Sequence, residues 1–218
     1  MLLGQGNPGC PLCGSAASDH LAIIRDRQYA GCRRCRLRFL EPSQLPSRAE
    51  EKAHYDTHEN SPNSPSYRRF LTKLTTPLIP LLRPGSEGLD YGAGPGPTLS
   101  VMLEEQGFIV DNYDPIYQPN PEALLRQYDF ITSTEVVEHF HHPATQFTRI
   151  YDLLKPGGWF GVMTEIFDPS TVFDDWWYHR DPTHVSFFEL ETMRWIAERF
   201  GMSWRNPAPN VVIFQKSG

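Results

Sequence analysis

Two clusters of residues have the types and spacing to do chemistry. In the first, the short apolar run Gly88-Leu89 meets Asp90 and then Tyr91-Gly92-Ala93-Gly94-Pro95-Gly96, an acidic residue followed by glycines at alternate positions. Glycine accepts positive φ and has no side chain to block approach, so a strand ending in such a loop brings bare backbone against a nucleotide-type ligand. The second cluster is Cys10-Pro11-Leu12-Cys13 with Cys32-Arg33-Arg34-Cys35, which together hold all four cysteines of the chain. Each Cys-x-x-Cys puts two thiolates on one tight turn, and two such turns supply the four ligands of a tetrahedral zinc. Gly14 and Gly31 relieve crowding beside them. Two disulfides are the competing reading, but no secretory signal supports it, and four sulfurs leave a zinc no open position for catalysis. A module with so little apolar core would draw most of its folding free energy from the metal.

These residues need a scaffold. At 218 residues, with 39% hydrophobic and 12% aromatic side chains, the chain suits one full-sized domain and a small appendage. The expected boundaries are a zinc-ribbon module over 1–41, a Pro- and Ser-rich linker with a short helix over 42–66, and the main domain over 67–218. Ser47 and Glu50 form a capping-box pair at the start of that helix, and His54 and His58 would share one of its faces. Tyr67, Phe70, Leu71, Leu74, Leu78 and Leu82 recur at near-helical spacing, with Pro77 and Pro80 expected to break the helix. From Gly88 onward strand and helix alternate. Strands are expected up to Asp90, over 108–113, 128–133, 159–164 and 211–215, with helices over 98–106, 144–154 and 190–200. The pattern implies an α/β fold, a doubly wound, mostly parallel sheet covered on both faces, with ligands beyond the carboxyl ends of the strands.

Charge is uneven. The chain carries a net −6, yet its first 40 residues set Arg25, Arg27, Arg33, Arg34, Arg36 and Arg38 against only Asp19 and Asp26. A basic module on an acidic body fits either a solvated surface or contact with nucleic acid. The first residues show neither a charged leader nor a long apolar run, and no stretch is long enough to span a bilayer, so a cytoplasmic location without membrane contact is expected.

The glycine loop departs from the dinucleotide fingerprint, because its third glycine comes one residue early and Pro95 and Pro97 flank it. Asp90-x-Gly92-x-Gly94-x-Gly96 instead resembles the first motif of class I S-adenosylmethionine-dependent methyltransferases, a Rossmann-like family. The resemblance covers about residues 67–216. It continues in Asp114 at the end of the second strand, in Tyr128-Asp129-Phe130-Ile131 followed by Glu135-Val136-Val137-Glu138-His139, and in Leu153-Leu154-Lys155-Pro156-Gly157-Gly158. It implies that Asp90, Gly92, Ala93, Gly94, Gly96, Asp114, Pro115, Thr134 and Glu135 bind the cofactor, with Asp114 accepting from the ribose hydroxyls. Only thirteen residues separate Asp114 from Tyr128, so the family's third strand is expected to be shortened or lost. Adenine would then pack on Pro115, Ile116 or Tyr117.

The family's reaction is in-line displacement at an activated methyl, with the protein orienting the partners and supplying a base where the acceptor is protonated. Glu-x-x-Glu-His resembles the segment in ubiquinone-biosynthesis O-methyltransferases and small-RNA 2'-O-methyltransferases that binds a divalent metal. By that resemblance His139, Glu138 and His184 are the catalytic candidates. A second divalent metal at Glu135, Glu138 and His139 is the sharper reading, and a histidine acting as base or loop brace is the plainer one. His179 is a reserve for His184, whereas His141 and His142 receive no role. Phe173-Asp174-Asp175-Trp176-Trp177-Tyr178-His179 either stacks on a flat acceptor or caps the core. No Asn-Pro-Pro-Tyr motif of amino methyltransferases follows the fourth strand, which favours an oxygen or carbon of a small molecule as acceptor. The alternatives are an RNA methyltransferase gripping its substrate with the basic ribbon, and a non-catalytic zinc-binding scaffold.

Overall fold

A computed structural model describes residues 9–16, 18–57 and 61–218. Its centre is a six-stranded sheet of order β5-β4-β6-β7-β10-β9, formed by β4 (Glu87–Tyr91), β5 (Ile109–Tyr113), β6 (Tyr128–Thr134), β7 (Leu154–Met163), β9 (Ser203–Ala208) and β10 (Val211–Gln215). The first four run parallel, while β10 lies antiparallel between β7 and β9. Alternation along each strand makes two cores. Phe130, Val211 and Ile213 face α2 (Pro65–Leu78) and α3 (Thr98–Glu104). Ile131, Val212 and Phe214 face α4 (Pro143–Leu153) and α5 (Leu190–Phe200). The doubly wound expectation holds.

Some expectations shift for physical reasons. Pro77 does not break α2: the bond it cannot give to the Lys73 carbonyl is lost one residue before the helix ends, so the turns upstream keep their ladder, and the chain tightens into a 3-10 turn after Leu78. The Lys155–Gly158 turn lies inside β7: residues 128 and 130 pair with 154 and 159, so the extra residues bulge out, with Gly157 at φ +76°. Between Asp114 and Tyr128 there is only a 3-10 turn, Pro121–Leu124, and β5 forms the sheet edge. The third strand is absent.

The ribbon forms a second sheet of order β1-β2-β3-β8, from β1 (Ser18–Ile24), β2 (Arg27–Cys32), β3 (Arg38–Leu40) and β8 (Ser186–Phe187). The last of these comes from the far side of the sequence, pairing Arg38 with Phe187 and Phe39 with Ser186. Residues on either side of β3 enter different cores: Phe39 packs in the cluster of Phe140, Phe147 and Phe188, and Leu40 in that of Phe167, Phe173 and Tyr178. Arg38 donates to the buried Glu189 at 2.8 and 3.1 Å, and its guanidinium lies 4.1 Å over the Phe167 ring. The ribbon sheet is therefore closed by the main domain.

Helix α1 (Arg48–Tyr55) carries the expected capping box between Ser47 and Glu50 and buries no residue completely. His58 lies outside the described residues. Among those residues, no helix is long and apolar enough to cross a membrane.

Candidate active site

One cleft of about 770 Å³ runs across the carboxyl ends of β4, β5 and β6. The end beside the glycine loop is mostly backbone. Gly92 has φ +90°, and a Cβ there would lie 2.5 Å from the Val136 side chain. Gly94 has φ +65°, whereas Gly96 turns its carbonyl to the Thr98 N–H. Asp90, behind the loop, is buried and accepts from Thr132 Oγ1 at 2.9 Å. Burial, followed by repulsion from Asp114, pushes its carboxyl up to about 7. Asp114 accepts from the N–H groups of Gly94, Ile116 and Tyr117 at 3.1, 2.8 and 2.9 Å, so it braces the loop while facing the cleft. Ala93, Pro115, Thr134 and Glu135 line the same end. Thr134 Oγ1 and Glu135 Oε1 are buried without a hydrogen-bond partner in the protein, polar groups that a ligand or an ordered water would satisfy.

Glu135 does not stand on a helical turn beside His139. Its φ of +53° swings the chain out of β6 before a 3-10 turn, Val137–His139, begins. The hydroxyl of Tyr178 joins the two glutamates, donating to Glu138 Oε1 at 2.5 Å with Glu135 Oε2 at 3.2 Å. One proton cannot serve both well. Burial, then repulsion from Glu138, pushes the Glu135 carboxyl up to about 9. Glu138 is fully buried, and its other oxygen accepts from Thr164 Oγ1 at 2.9 Å.

At the other end, Glu138, His139 and His184 bring one ligand atom each within 4.8 Å of the others, with Glu135 outside that group. The two imidazole rings meet edge to face at 4.8 Å. Nδ1 of His139 lies 3.0 Å from the Thr183 carbonyl and Nδ1 of His184 lies 2.7 Å from the Tyr178 carbonyl. A carbonyl only accepts, so each neutral ring carries its proton on Nδ1 and keeps a lone pair on Nε2. Burial pulls the His184 imidazole below the ordinary histidine range, against the attraction of Glu138. That donor set, two imidazole nitrogens and a carboxylate, suits a divalent cation as well as a proton.

The remaining aromatic and histidine candidates separate. His179 is buried against Tyr29 and Phe173 with Nε2 on the Asp174 carbonyl, away from the cleft. Phe173 and Trp176 pack into the core, whereas Trp177 is 55% exposed and lines the cleft with Tyr178. His141 and His142 line it too, and His141 Nε2 lies 2.8 Å from Glu51 Oε1 without hydrogen-bond alignment.

Sequence reading missed α1 as a wall. It turns Glu51, His54 and Tyr55 to the cleft region: His54 Nε2 lies 2.9 Å from Asp181 Oδ2, and the Tyr55 ring packs edge to face on His139 at 5.1 Å. Arg48 donates to the Pro115 carbonyl, and just past the helix Asp56 accepts from the Tyr117 hydroxyl at 2.6 Å. The i, i+3, i+4 spacing of residues 51, 54 and 55 was the available signal.

In the ribbon, the Sγ atoms of Cys10 and Cys35 lie 3.5 Å apart and those of Cys13 and Cys32 3.4 Å apart, and all four fall within 4.8 Å of one another. Disulfide bonding would need about 2 Å; tetrahedral Zn–S bonds of about 2.3 Å place sulfurs well apart, as here. The hydrogen bond from Cys35 pulls the Cys10 thiol down to about 5, while burial pushes Cys13 up to about 11.

Sheet order, glycine loop and the acidic residue closing β5 define a class I S-adenosylmethionine-dependent methyltransferase. A model of the methyltransferase domain matches residues 65–204, and the chain belongs to that family. Over 81 residues, 36% of its length, the chain is 35% identical to a ubiquinone biosynthesis O-methyltransferase of Ruegeria pomeroyi. It spans about a third, 32%, of that relative. A solved 1,6-didemethyltoxoflavin-N1-methyltransferase of Burkholderia thailandensis, with 1,6-didemethyltoxoflavin and S-adenosylhomocysteine bound, matches 92% of this chain and 100% of its own with a TM-score of 0.54 and 17% identity. That likeness is one of fold.

Proposed function

We propose that the protein methylates an oxygen atom of a small molecule bound at the Glu138, His139 and His184 end of the cleft. The observation that carries the reading is the pair of imidazoles whose Nδ1 atoms are committed to backbone carbonyls, leaving two Nε2 lone pairs beside a buried carboxylate. S-adenosylmethionine, when bound, supplies a methyl group made electrophilic by its sulfonium. Gly92 and Gly94 give it bare backbone, Asp114 the acceptor for its ribose, and Asp90, Thr134 and Glu135 the polar groups around its amino acid moiety. His139 Nε2 takes the proton of the acceptor hydroxyl, and Trp177 and Tyr55 wall the acceptor. The same three residues fit a divalent cation, which would lower the pKa of a hydroxyl bound there. We assign zinc to Cys10, Cys13, Cys32 and Cys35.

The ribbon's arginines support a small acceptor over RNA. Arg33 pairs with Asp19, Arg36 and Arg38 with Glu189, and Arg27 with carbonyls, so four of the six have partners within the chain. The relative from Ruegeria pomeroyi, an O-methyltransferase by name, points the same way. Calorimetry with S-adenosylhomocysteine, with and without magnesium or added zinc, tests the reading. Micromolar binding supports it, and binding strengthened by the cation would make the histidines metal ligands. No binding under any of these conditions refutes it and leaves the scaffold reading.

A further inference from the structure

The guanidinium of Arg27 faces no carboxylate within ion-pair distance among the described residues. Instead it donates to three backbone carbonyls of one loop: Asp181 at 3.3 Å, Pro182 at 2.9 Å and His184 at 3.3 Å. Arg27 opens β2, just after a hairpin turn in which Arg25 and Asp26 have φ of 51° and 67°. That turn is itself pinned, since Gln44 accepts from the Gln28 N–H at 2.6 Å and donates to the Asp26 carbonyl at 2.8 Å. A half-buried cation spent on carbonyls gains less than one paired with an acid. What it gains here is geometry.

The loop's carbonyls divide between two tasks. Those of Tyr178 and Thr183 fix the rings of His184 and His139; those of Asp181, Pro182 and His184 rest on Arg27. The Thr183 carbonyl that orients His139 is thus flanked on both sides by carbonyls that Arg27 holds. Two further bonds tie the ribbon to the third member of the group: the Leu40 N–H donates to the Val185 carbonyl, and the Val185 N–H donates to the Glu138 carbonyl, each at 2.9 Å. Every member of the donor set therefore has a short path back to the ribbon.

We propose that Arg27 is a positioning residue for His139 and His184, and that through it the ribbon forms a working wall of the acceptor site. The inference rests on the reading of these histidines as acceptor-site groups. Its test is nitrogen NMR of histidine-labelled, zinc-loaded full-length protein, comparing the natural chain with Arg27→Gln and Arg27→Lys. In the natural chain both rings give the signature of a single Nδ1–H tautomer. Arg27→Gln is expected to convert both to averaged tautomers while ribbon zinc content and S-adenosylhomocysteine affinity stay within about twofold, and Arg27→Lys to restore the signature in part. Cobalt titration at the second site is expected to weaken about tenfold in Arg27→Gln, the loss typical when the support behind a ligand is removed. Fixed tautomers in Arg27→Gln overturn the proposal and leave the proposed function standing. Averaged tautomers already in the natural chain overturn both. Loss of zinc from both variants overturns it too, because Arg27 would then serve only to fold the ribbon.

Discussion

The two ends of the cleft are built differently. The cofactor end comes from the carboxyl ends of three adjacent parallel strands, with Asp90, Gly92 and Gly94, Asp114, and Thr134 each within a few residues of a strand end. Once the sheet forms, these residues are in place. The acceptor end draws on Arg27, Glu51, Tyr55, His139, Tyr178 and His184, most of them in 3-10 turns, loops or a solvent-washed helix. It depends on a second sheet that closes only when β8 docks on β3. One end follows from backbone topology, the other from side chains that brace loops. Damage to the ribbon should therefore reach the acceptor end first.

The largest expected effect tests this asymmetry directly. Cys35→Ser removes a fully buried thiol from the proposed zinc site and should abolish zinc binding and lower the thermal midpoint by on the order of 10 °C. Cofactor affinity should fall far less than cation binding at His139 and His184. Equal losses by calorimetry would erase the distinction between the ends. Gly92→Ala is the converse: the strain of φ +90° and the 2.5 Å approach to Val136 should weaken cofactor binding roughly 10- to 100-fold with zinc retained. An unaltered affinity would remove the loop from the cofactor site.

Asp90 sharpens the comparison through pH. Its carboxyl sits at about 7 in the fold against 3.8 for the free group, chiefly because it is buried. The fold therefore favours the protonated form: the stabilisation is complete below about pH 4, declines as pH rises toward 7, and stays lost above it. Asp90→Asn should cancel that decline, gaining roughly 3 kcal/mol or less at pH 8 relative to the natural chain, yet bind cofactor more weakly. Parallel pH profiles in denaturant melts would contradict the burial of this charge. Smallest is Tyr178→Phe, which takes one donor from Glu138 and should cost about 1–2 kcal/mol; a neutral thermal melt would show that Thr164 alone satisfies the carboxylate.

The same division governs what could be read from the sequence. β4, β5, β6, α4, α5 and β10 were legible to within about two residues, because apolar period and flanking glycine or proline are local signals. So was the glycine loop. The loss of the third strand was legible as a matter of length. β8 was not, since two residues carry no period, and its role depends on β3, nearly 150 residues earlier. Glu138 and His139 stood out through the resemblance of Glu-x-x-Glu-His to a known methyltransferase segment. His184 was already a candidate from the sequence; the exclusion of Glu135 from the cluster was hidden because it turns on one positive φ at residue 135. Arg27 looked like surface charge, and nothing local distinguishes an arginine bound to carbonyls from one bound to water.

Apart from the Tyr55 ring on His139, helix α1 meets this cleft with polar side chains. Glu51, His54, Arg48 and Asp56 touch their partners by ion pairs and hydrogen bonds, and no residue of the helix is fully buried. Lifting it would uncover little apolar surface beyond the Tyr55 ring, so its release would rest on a few polar contacts and that one ring. Ligand traffic would then keep its own clock, set by one short helix and not by any opening of the sheet.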